Sequence, residues 1–243
     1  MMGLFLIVCV AVWLAIKKKN IDYGDVGASY QNFAVEKQYW RMWTASFSHI
    51  SVMHLALNMS SLWAYRFIEQ QIGTLMYLKL TFLFVVVTIW MMMGMYHLLI
   101  VKLGREASRR TVGVGYSCVI FAWMTWTTVM HPMNSLDLGF FSLPLSLAPF
   151  GNLIFTSLIV PNASFVGHLA GILAGYAVGF GALSWVTDYW FFQIMLWMVI
   201  LVVMSLKTSR VVDIPWITIE DPPPELPRVS TSNMGRSLGL DVV

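Results

Sequence analysis

The chain has 243 residues, of which 58% are hydrophobic and 11% are charged. Soluble domains carry about 25% charged residues, so the composition excludes an ordinary soluble protein and indicates a multi-pass integral membrane protein, in an endomembrane or the plasma membrane. The formal net charge of +3 is small and the basic residues are scattered along the sequence, without a long basic run, which argues against a nucleic-acid partner. Both cysteines lie in apolar runs and predict neither a disulfide framework nor a metal site, and no cofactor is expected.

Apolar stretches predict the helices of an all-α, polytopic membrane helix bundle. The predicted spans are residues 1–16, 46–68, 80–101, 115–130, 150–160 and 165–185, with a candidate seventh, C-terminal transmembrane helix at 189–206. The first is short, because its residues rise about 24 Å against a hydrocarbon core of about 30 Å. Residues 20–40 are predicted to be a surface loop. The spans define one transmembrane domain, residues 1–206, followed by a proline-containing tail, residues 207–243, that we predict to be disordered.

The second predicted span carries many polar residues for a helix in lipid. At 100° per residue, one stripe of this helix contains His54, Asn58, Ser61 and Tyr65. Polar side chains inside a membrane are expected to face the bundle interior or a water-filled cavity. The stripe is interpreted either as interhelical hydrogen bonding alone or as part of a functional site.

Ser117 is the strongest candidate for a reactive residue. It follows a basic loop and two glycines, and it opens the apolar helix predicted at 115–130. A serine in the first turn of a helix lies near unpaired backbone N–H groups and the positive end of the helix dipole, which favour developing negative charge. The alternative is that Ser117 is only a helix cap or a small packing residue.

A second candidate, His168, lies in the sixth predicted span. Every fourth residue there is a glycine, at Gly167, Gly171, Gly175 and Gly179. This ridge lets another helix approach closely and is expected to bring His168 within hydrogen-bond reach of Ser117. An adjacent imidazole can take the serine proton, and the Ser117 N–H, His54 and Asn58 are suitable donors for the oxyanion that then forms. No carboxylate is available to orient His168, so the predicted unit is a dyad.

Spaced motifs in the chain resemble those of the rhomboid family of intramembrane serine proteases. The resemblance covers residues 40–183 and rests on Trp40 with Arg41, His49 with His54 and Asn58, Glu69 with Gly73, Gly115 with Ser117, and His168 with Gly171. It implies a six-helix core that cleaves single-span membrane proteins within the lipid bilayer. The residues around Ser117 and His49 look most similar to the plant rhomboid-like protein 13 group.

By this resemblance, Ser117 is the nucleophile, His168 is the general base, and His54 and Asn58 complete the oxyanion hole. The resemblance also implies supporting roles for His49, Gly115, Phe121, Gly171, Trp40 and Arg41. The fifth helix and the loop at 161–164 are the expected gate and cap that admit a substrate helix from lipid.

The chain departs from the family pattern at two positions beside the serine. Cys118 stands where the family usually has glycine, and its side chain is expected to crowd the approach of the sixth helix. Phe121 stands where the family usually has tyrosine. Its ring can still stack on an imidazole, but it offers no hydroxyl.

The charge distribution and the resemblance give opposite orientations. The basic residues gather in the loops at the end of the bundle that carries Ser117, which by the positive-inside rule predicts that this end faces the cytosol. Family members usually open that end to the lumen or exterior. The orientation therefore stays open at this stage.

Two alternatives to an active protease follow from the same residues. The first is a proteolytically silent rhomboid-like protein that binds transmembrane segments for retention or dislocation. The second is a helix bundle in which His54 and His168 serve as haem ligands or as a proton relay. The second alternative rests on residue type alone.

Overall fold

The structure, a computed structural model, describes residues 1–131, 136–137, 142–143, 147–160 and 163–218. Its regular elements are helices, apart from one antiparallel pair of two-residue strands, β1 (Leu136–Asp137) and β2 (Ser142–Leu143). The α-helices in chain order are α1 (Met2–Lys19), α2 (Tyr23–Val26), α3 (Arg41–Phe47), α4 (Val52–Ala64), α5 (Arg66–Ile72), α6 (Thr74–Val101), α7 (Ser117–Met130), α8 (Ala148–Ile159), α9 (Phe165–Gly179) and α10 (Asp188–Thr208). The predicted all-α bundle is confirmed.

Helices α7 and α9 form the centre of the bundle, and α6 packs beside both. The buried interior includes Tyr77 of α6 and Trp123 of α7, whose rings stack with centroids 4.7 Å apart. The glycines of α9 face α7: a Cβ added at Gly171 would lie 2.2 Å from the carbonyl oxygen of Cys118. No side chain fits at that distance, so the two helices meet backbone to backbone, as the glycine spacing predicted.

Three predicted spans have clearly different bounds in the structure. Helix α6 begins at Thr74, earlier than the span predicted at 80–101. The stretch predicted as one helix at 46–68 is divided among the end of α3, α4 and the start of α5. Ser51 begins α4 by accepting a hydrogen bond from the His54 N–H at 3.1 Å, which separates this helix from α3. The span predicted at 165–185 is also too long, because α9 ends at Gly179 and the chain turns through Gly181 at a φ of 82°.

Among the described residues, two helices, α6 and α10, are long and apolar enough to cross a membrane, and α7, α8 and α9 are shorter apolar helices. Helix α10 lies at the periphery and exposes large apolar side chains, among them Leu196 at 53% and Trp197 at 65%. Such a surface suits contact with lipid chains.

The connection from α1 to α3 covers the end of the bundle where α7 and α9 begin, hereafter the Ser117 end. It is more ordered than the predicted surface loop at 20–40, since it contains α2 and a π-helical turn, Gln31–Val35. Ala28 pairs with Gly113 through two backbone hydrogen bonds of 3.0 and 2.8 Å, which ties this connection to the segment before Ser117.

Parts of the predicted tail and cap lie outside the described residues. These are residues 219–243 of the tail and residues 161–162 of the cap. The division of the chain into residues 1–206 and 207–243 remains a prediction.

Candidate active site

Ser117 and His168 lie side by side where α7 and α9 begin. Nε2 of His168 is 2.8 Å from Oγ of Ser117. With the imidazole proton on Nδ1, the serine hydroxyl donates this hydrogen bond to Nε2. The two residues are 51 positions apart in the chain, so the contact depends on the close packing of α7 and α9. The contact expected from the glycine spacing is present, while the chemical roles given to the two residues remain predictions.

Both side chains belong to the first turn of a helix. Helix α7 begins at Ser117, directly after the fully buried Tyr116. Helix α9 begins after Ser164, whose hydroxyl accepts a hydrogen bond from the Gly167 N–H at 3.1 Å. First-turn N–H groups have no partner inside their own helix, so the start of α7 presents donors and a positive dipole end beside the Ser117 hydroxyl.

The imidazole of His168 is held by an aromatic ring. Phe121, one turn after Ser117 on α7, stacks on the imidazole with centroids 4.4 Å apart and planes inclined by 21°. Within the described ranges, no hydrogen-bond partner reaches Nδ1 of His168. The stacked ring restricts the orientation of the imidazole, but it accepts no hydrogen bond from Nδ1 as a triad carboxylate does.

A cavity of about 690 Å³ opens beside the Ser117–His168 pair. Its walls include His54, Asn58 and Ser61, which are three of the four residues in the predicted stripe. The fourth, Tyr65, follows the end of α4 and does not line the cavity. The side-chain amide of Asn58 donates to the His54 carbonyl oxygen at 2.8 Å. The cavity thus combines the nucleophile and base candidates with polar groups that can donate to an oxyanion.

His49 lies behind the cavity and supports His54. Its side chain is fully buried, and its ring meets the His54 ring at an angle of 61° with centroids 5.1 Å apart. His54 also limits the residue at position 115: a Cβ added to Gly115 would lie 2.7 Å from Cε1 of His54, and Gly115 has a φ of 128°. Only glycine satisfies both constraints.

Cys118 does not keep α9 away from α7. A Cβ added at Gly167 would lie 2.9 Å from Sγ of Cys118, so the thiol occupies the space that this glycine leaves open. The expectation that Cys118 crowds the sixth helix was therefore wrong, because the crowding is relieved by the glycine opposite it.

Trp40 and Arg41 lie outside the cavity and organise the connection above it. Nη1 of Arg41 donates to the carbonyl oxygens of Gly24, Asp25 and Gly27, each at 2.8 Å. The Arg41 guanidinium also lies over the Trp40 ring, 4.5 Å from its centroid. Burial lowers the pKa of this guanidinium, and neighbouring carboxylates oppose that effect. Arg41, stacked on Trp40, therefore holds the backbone of residues 24–27 in place at the Ser117 end.

Two residues that the sequence analysis does not single out help to build the site. Ser164 caps α9, and serine before an apolar run is a helix-start signal that the sequence offered. Ala45 accepts a hydrogen bond from the Gly115 N–H at 2.8 Å through its carbonyl oxygen. No sequence signal marks this second contact, because any residue has a carbonyl group.

Comparisons with known proteins place the site in a family context. A family model described as Rhomboid domain matches residues 36–185. Rhomboid-like protein 15 of Arabidopsis thaliana is 29% identical over 153 residues, which are 59% of this chain and 37% of that protein. Rhomboid-related protein 4 of Mus musculus is 28% identical over 159 residues, or 63% of this chain and 49% of that protein.

A relative named as a protease is also similar to the chain. Rhomboid-type serine protease 2 of Saccharomyces cerevisiae is 26% identical over 137 residues, which are 54% of this chain and 49% of that protein. The chain spans about half, or less, of the length of these three curated relatives. The likeness to the plant rhomboid-like protein 13 group stays a prediction.

Proposed function

The chain belongs to the rhomboid family of integral membrane proteins, and from this premise we propose that it is an intramembrane serine protease that cleaves single-span membrane proteins. The observation that carries the proposal is the 2.8 Å contact between Ser117 Oγ and His168 Nε2 beside a polar cavity. A serine hydroxyl is a weak nucleophile until an adjacent base takes its proton, and this contact supports the proposal that His168 is that base.

The proposed reaction has two steps. Ser117 Oγ attacks the carbonyl carbon of the scissile peptide bond while its proton passes to Nε2 of His168, and the resulting oxyanion receives hydrogen bonds from the Ser117 N–H, His54 and Asn58. His168 then gives the proton to the departing amine, which leaves an ester on Ser117. In the second step a water molecule, deprotonated by His168, hydrolyses that ester and restores the serine hydroxyl.

The test is covalent labelling of Ser117 by a fluorophosphonate, which reacts with activated serines. Purified wild-type protein in detergent is expected to label, and Ser117→Ala and His168→Ala are expected to abolish labelling. Thr128→Ala is the matched control on the same helix, because the Thr128 hydroxyl donates to the Thr125 carbonyl oxygen of its own helix at 2.7 Å. Absence of labelling in folded wild-type protein would overturn the proposal.

The alternative is a rhomboid-like protein that binds transmembrane segments without cleaving them. The names Rhomboid-like protein 15 and Rhomboid-related protein 4 state no protease activity for those relatives. A binding protein is expected to co-purify with intact client segments equally in wild-type and Ser117→Ala forms. A protease is expected to retain intact substrate only in the Ser117→Ala form.

A further inference from the structure

We propose that helix α10 braces the Ser117 end of the bundle through Ser205, which acts as a positioning residue for Ser117. The effect on Ser117 rests on the proposed function, whereas the brace itself rests on contacts in the structure. Helix α10 lies beyond residues 36–185, so the rhomboid-domain match does not account for this contact.

Ser205 joins α10 to the turn that precedes α3. Its hydroxyl donates to the Lys37 carbonyl oxygen at 2.7 Å and accepts a hydrogen bond from the Tyr39 N–H at 2.8 Å. The partners lie 168 and 166 positions away in the chain. Ser205 is only 6% exposed, so its hydroxyl would lack partners if the turn moved away.

The apolar contact of α10 with the bundle centres on Phe191, which packs with Leu83 and Val186. Of its described side chains, only Phe191 and Ser205 are buried. A second polar contact lies at the opposite end, where Nζ of Lys79 is 3.0 Å from a carboxylate oxygen of Asp188. Apolar side chains have little preference for protein over lipid, so polar contacts at its two ends carry much of the attachment of α10.

The turn that Ser205 holds is conformationally unusual. Lys37 has a φ of 57°, in the left-handed region that residues with a side chain disfavour. The Tyr39 N–H also lies 2.9 Å from the Lys37 carbonyl oxygen, so Ser205 binds both polar groups of a tight turn. Because the surrounding contacts must stabilise such a backbone, removing the hydroxyl is expected to release the turn.

The turn connects to the nucleophile candidate through α3. The turn containing Tyr39 leads directly into α3, and the Ala45 carbonyl oxygen of α3 accepts the Gly115 N–H at 2.8 Å. Gly115 stands two residues before Ser117 and packs against the His54 ring. Ser205 therefore acts on Ser117 through the turn before α3, through α3 itself and through the backbone at Gly115, without touching the cavity.

The experiment compares Ser205→Ala with Thr208→Ala and Ser205→Thr in full-length protein. Thr208 is the matched control, because its hydroxyl donates to the Met204 carbonyl oxygen of its own helix at 2.8 Å. Hydrogen exchange of residues 36–47 reports the brace, and the rate of fluorophosphonate labelling of Ser117, measured well below the unfolding temperature, reports positioning. Thermal unfolding is followed in parallel to separate positioning from loss of fold.

Ser205→Ala is expected to speed exchange in residues 36–47 and to slow labelling about three- to tenfold, the size expected from losing one or two neutral hydrogen bonds. Thr208→Ala should match wild type, and Ser205→Thr should restore both readouts. Unchanged exchange in Ser205→Ala overturns the brace. Faster exchange with unchanged labelling overturns the positioning role. If wild-type protein does not label at all, the proposed protease function fails, but the exchange measurement still decides the brace.

Discussion

At the residue scale, the cavity brings donors on α4 close to a nucleophile candidate on α7. The Asn58 side-chain amide donates a hydrogen bond to the His54 carbonyl oxygen of its own helix, which limits its rotation in the cavity wall. A donor that is already oriented needs no rearrangement when the oxyanion forms. His54 itself is kept in place by the buried His49 ring behind it.

We expect Asn58→Ala to lower the rate of substrate cleavage by about 10²- to 10³-fold, the cost of removing one oxyanion donor from a preorganised site. Cleavage of a single-span substrate in proteoliposomes measures the effect. Ser60→Ala is the control on the same helix, because the Ser60 hydroxyl is exposed and bonds the Leu57 carbonyl oxygen. Equal rates for the two variants would exclude Asn58 from the oxyanion site.

Phe121 provides a second prediction at this scale. Replacing it with leucine keeps an apolar side chain but removes the ring stacked on His168 at 4.4 Å. Because aromatic pairs contribute about 0.5–1.5 kcal/mol beyond their burial, Phe121→Leu should slow Ser117 labelling about two- to tenfold. Phe67→Leu, at an exposed phenylalanine of α5, should leave the rate unchanged. A labelling rate for Phe121→Leu as high as that of the control would show that another contact orients the imidazole.

At the element scale, the contact between α7 and α9 determines whether a site exists. Gly171 and Gly175 of α9 face the carbonyl oxygens of Cys118 and Ala122, at 2.2 and 2.5 Å from the position of an added Cβ. Those carbonyls belong to helical backbone and cannot turn aside. The interhelical distance, and with it the contact between Ser117 and His168, therefore depends on the absence of side chains at these positions.

We expect Gly171→Ala to destabilise the bundle by about 1–3 kcal/mol, the usual effect of overpacking, and to abolish labelling of Ser117. Thermal unfolding followed by tryptophan fluorescence and the labelling assay together measure this. Gly94→Ala is the matched control within a helix, because nothing lies within 4 Å of an added Cβ there. Alanine at that position should keep or slightly raise stability. If Gly171→Ala behaves like Gly94→Ala, the close approach of the two helices is not required.

At the scale of the whole molecule, the fold gathers positive charge at one end. Within the described ranges, all Lys and Arg residues except Arg66 and Lys79 lie in or next to the segments at the Ser117 end. They are Lys17, Lys18, Lys19, Lys37, Arg41, Lys102, Arg105, Arg109, Arg110, Lys207 and Arg210. By the positive-inside rule, this end should remain on the cytosolic side during insertion.

We therefore predict that residues 102–110 face the cytosol. A glycosylation acceptor inserted there should stay unmodified in microsomes, whereas one inserted at residues 181–187, at the opposite end of the bundle, should be glycosylated. The reverse pattern would show the orientation usual in the family and would mean that charge does not set the topology of this chain. Glycosylation at both insertions would indicate a mixed topology.

Short stretches of the sequence were enough to predict the class of protein, the approximate spans and the candidate residues of the site. Long apolar runs, the polar stripe containing His54 and Asn58, and glycines at every fourth position of the sixth span are visible in short stretches of chain. Such local patterns follow from helix periodicity and from the cost of polar groups in lipid, so no knowledge of packing is needed to read them.

Only the tertiary structure decided which residues meet. It placed His168 against Ser117, excluded Tyr65 from the cavity, accommodated Cys118 against Gly167 and joined Ser205 to the turn before α3. These contacts link residues far apart in the chain, and their distances depend on how the helices pack against one another. Periodicity fixes the face of a helix on which a residue lies, but it does not fix the neighbour that the face will contact.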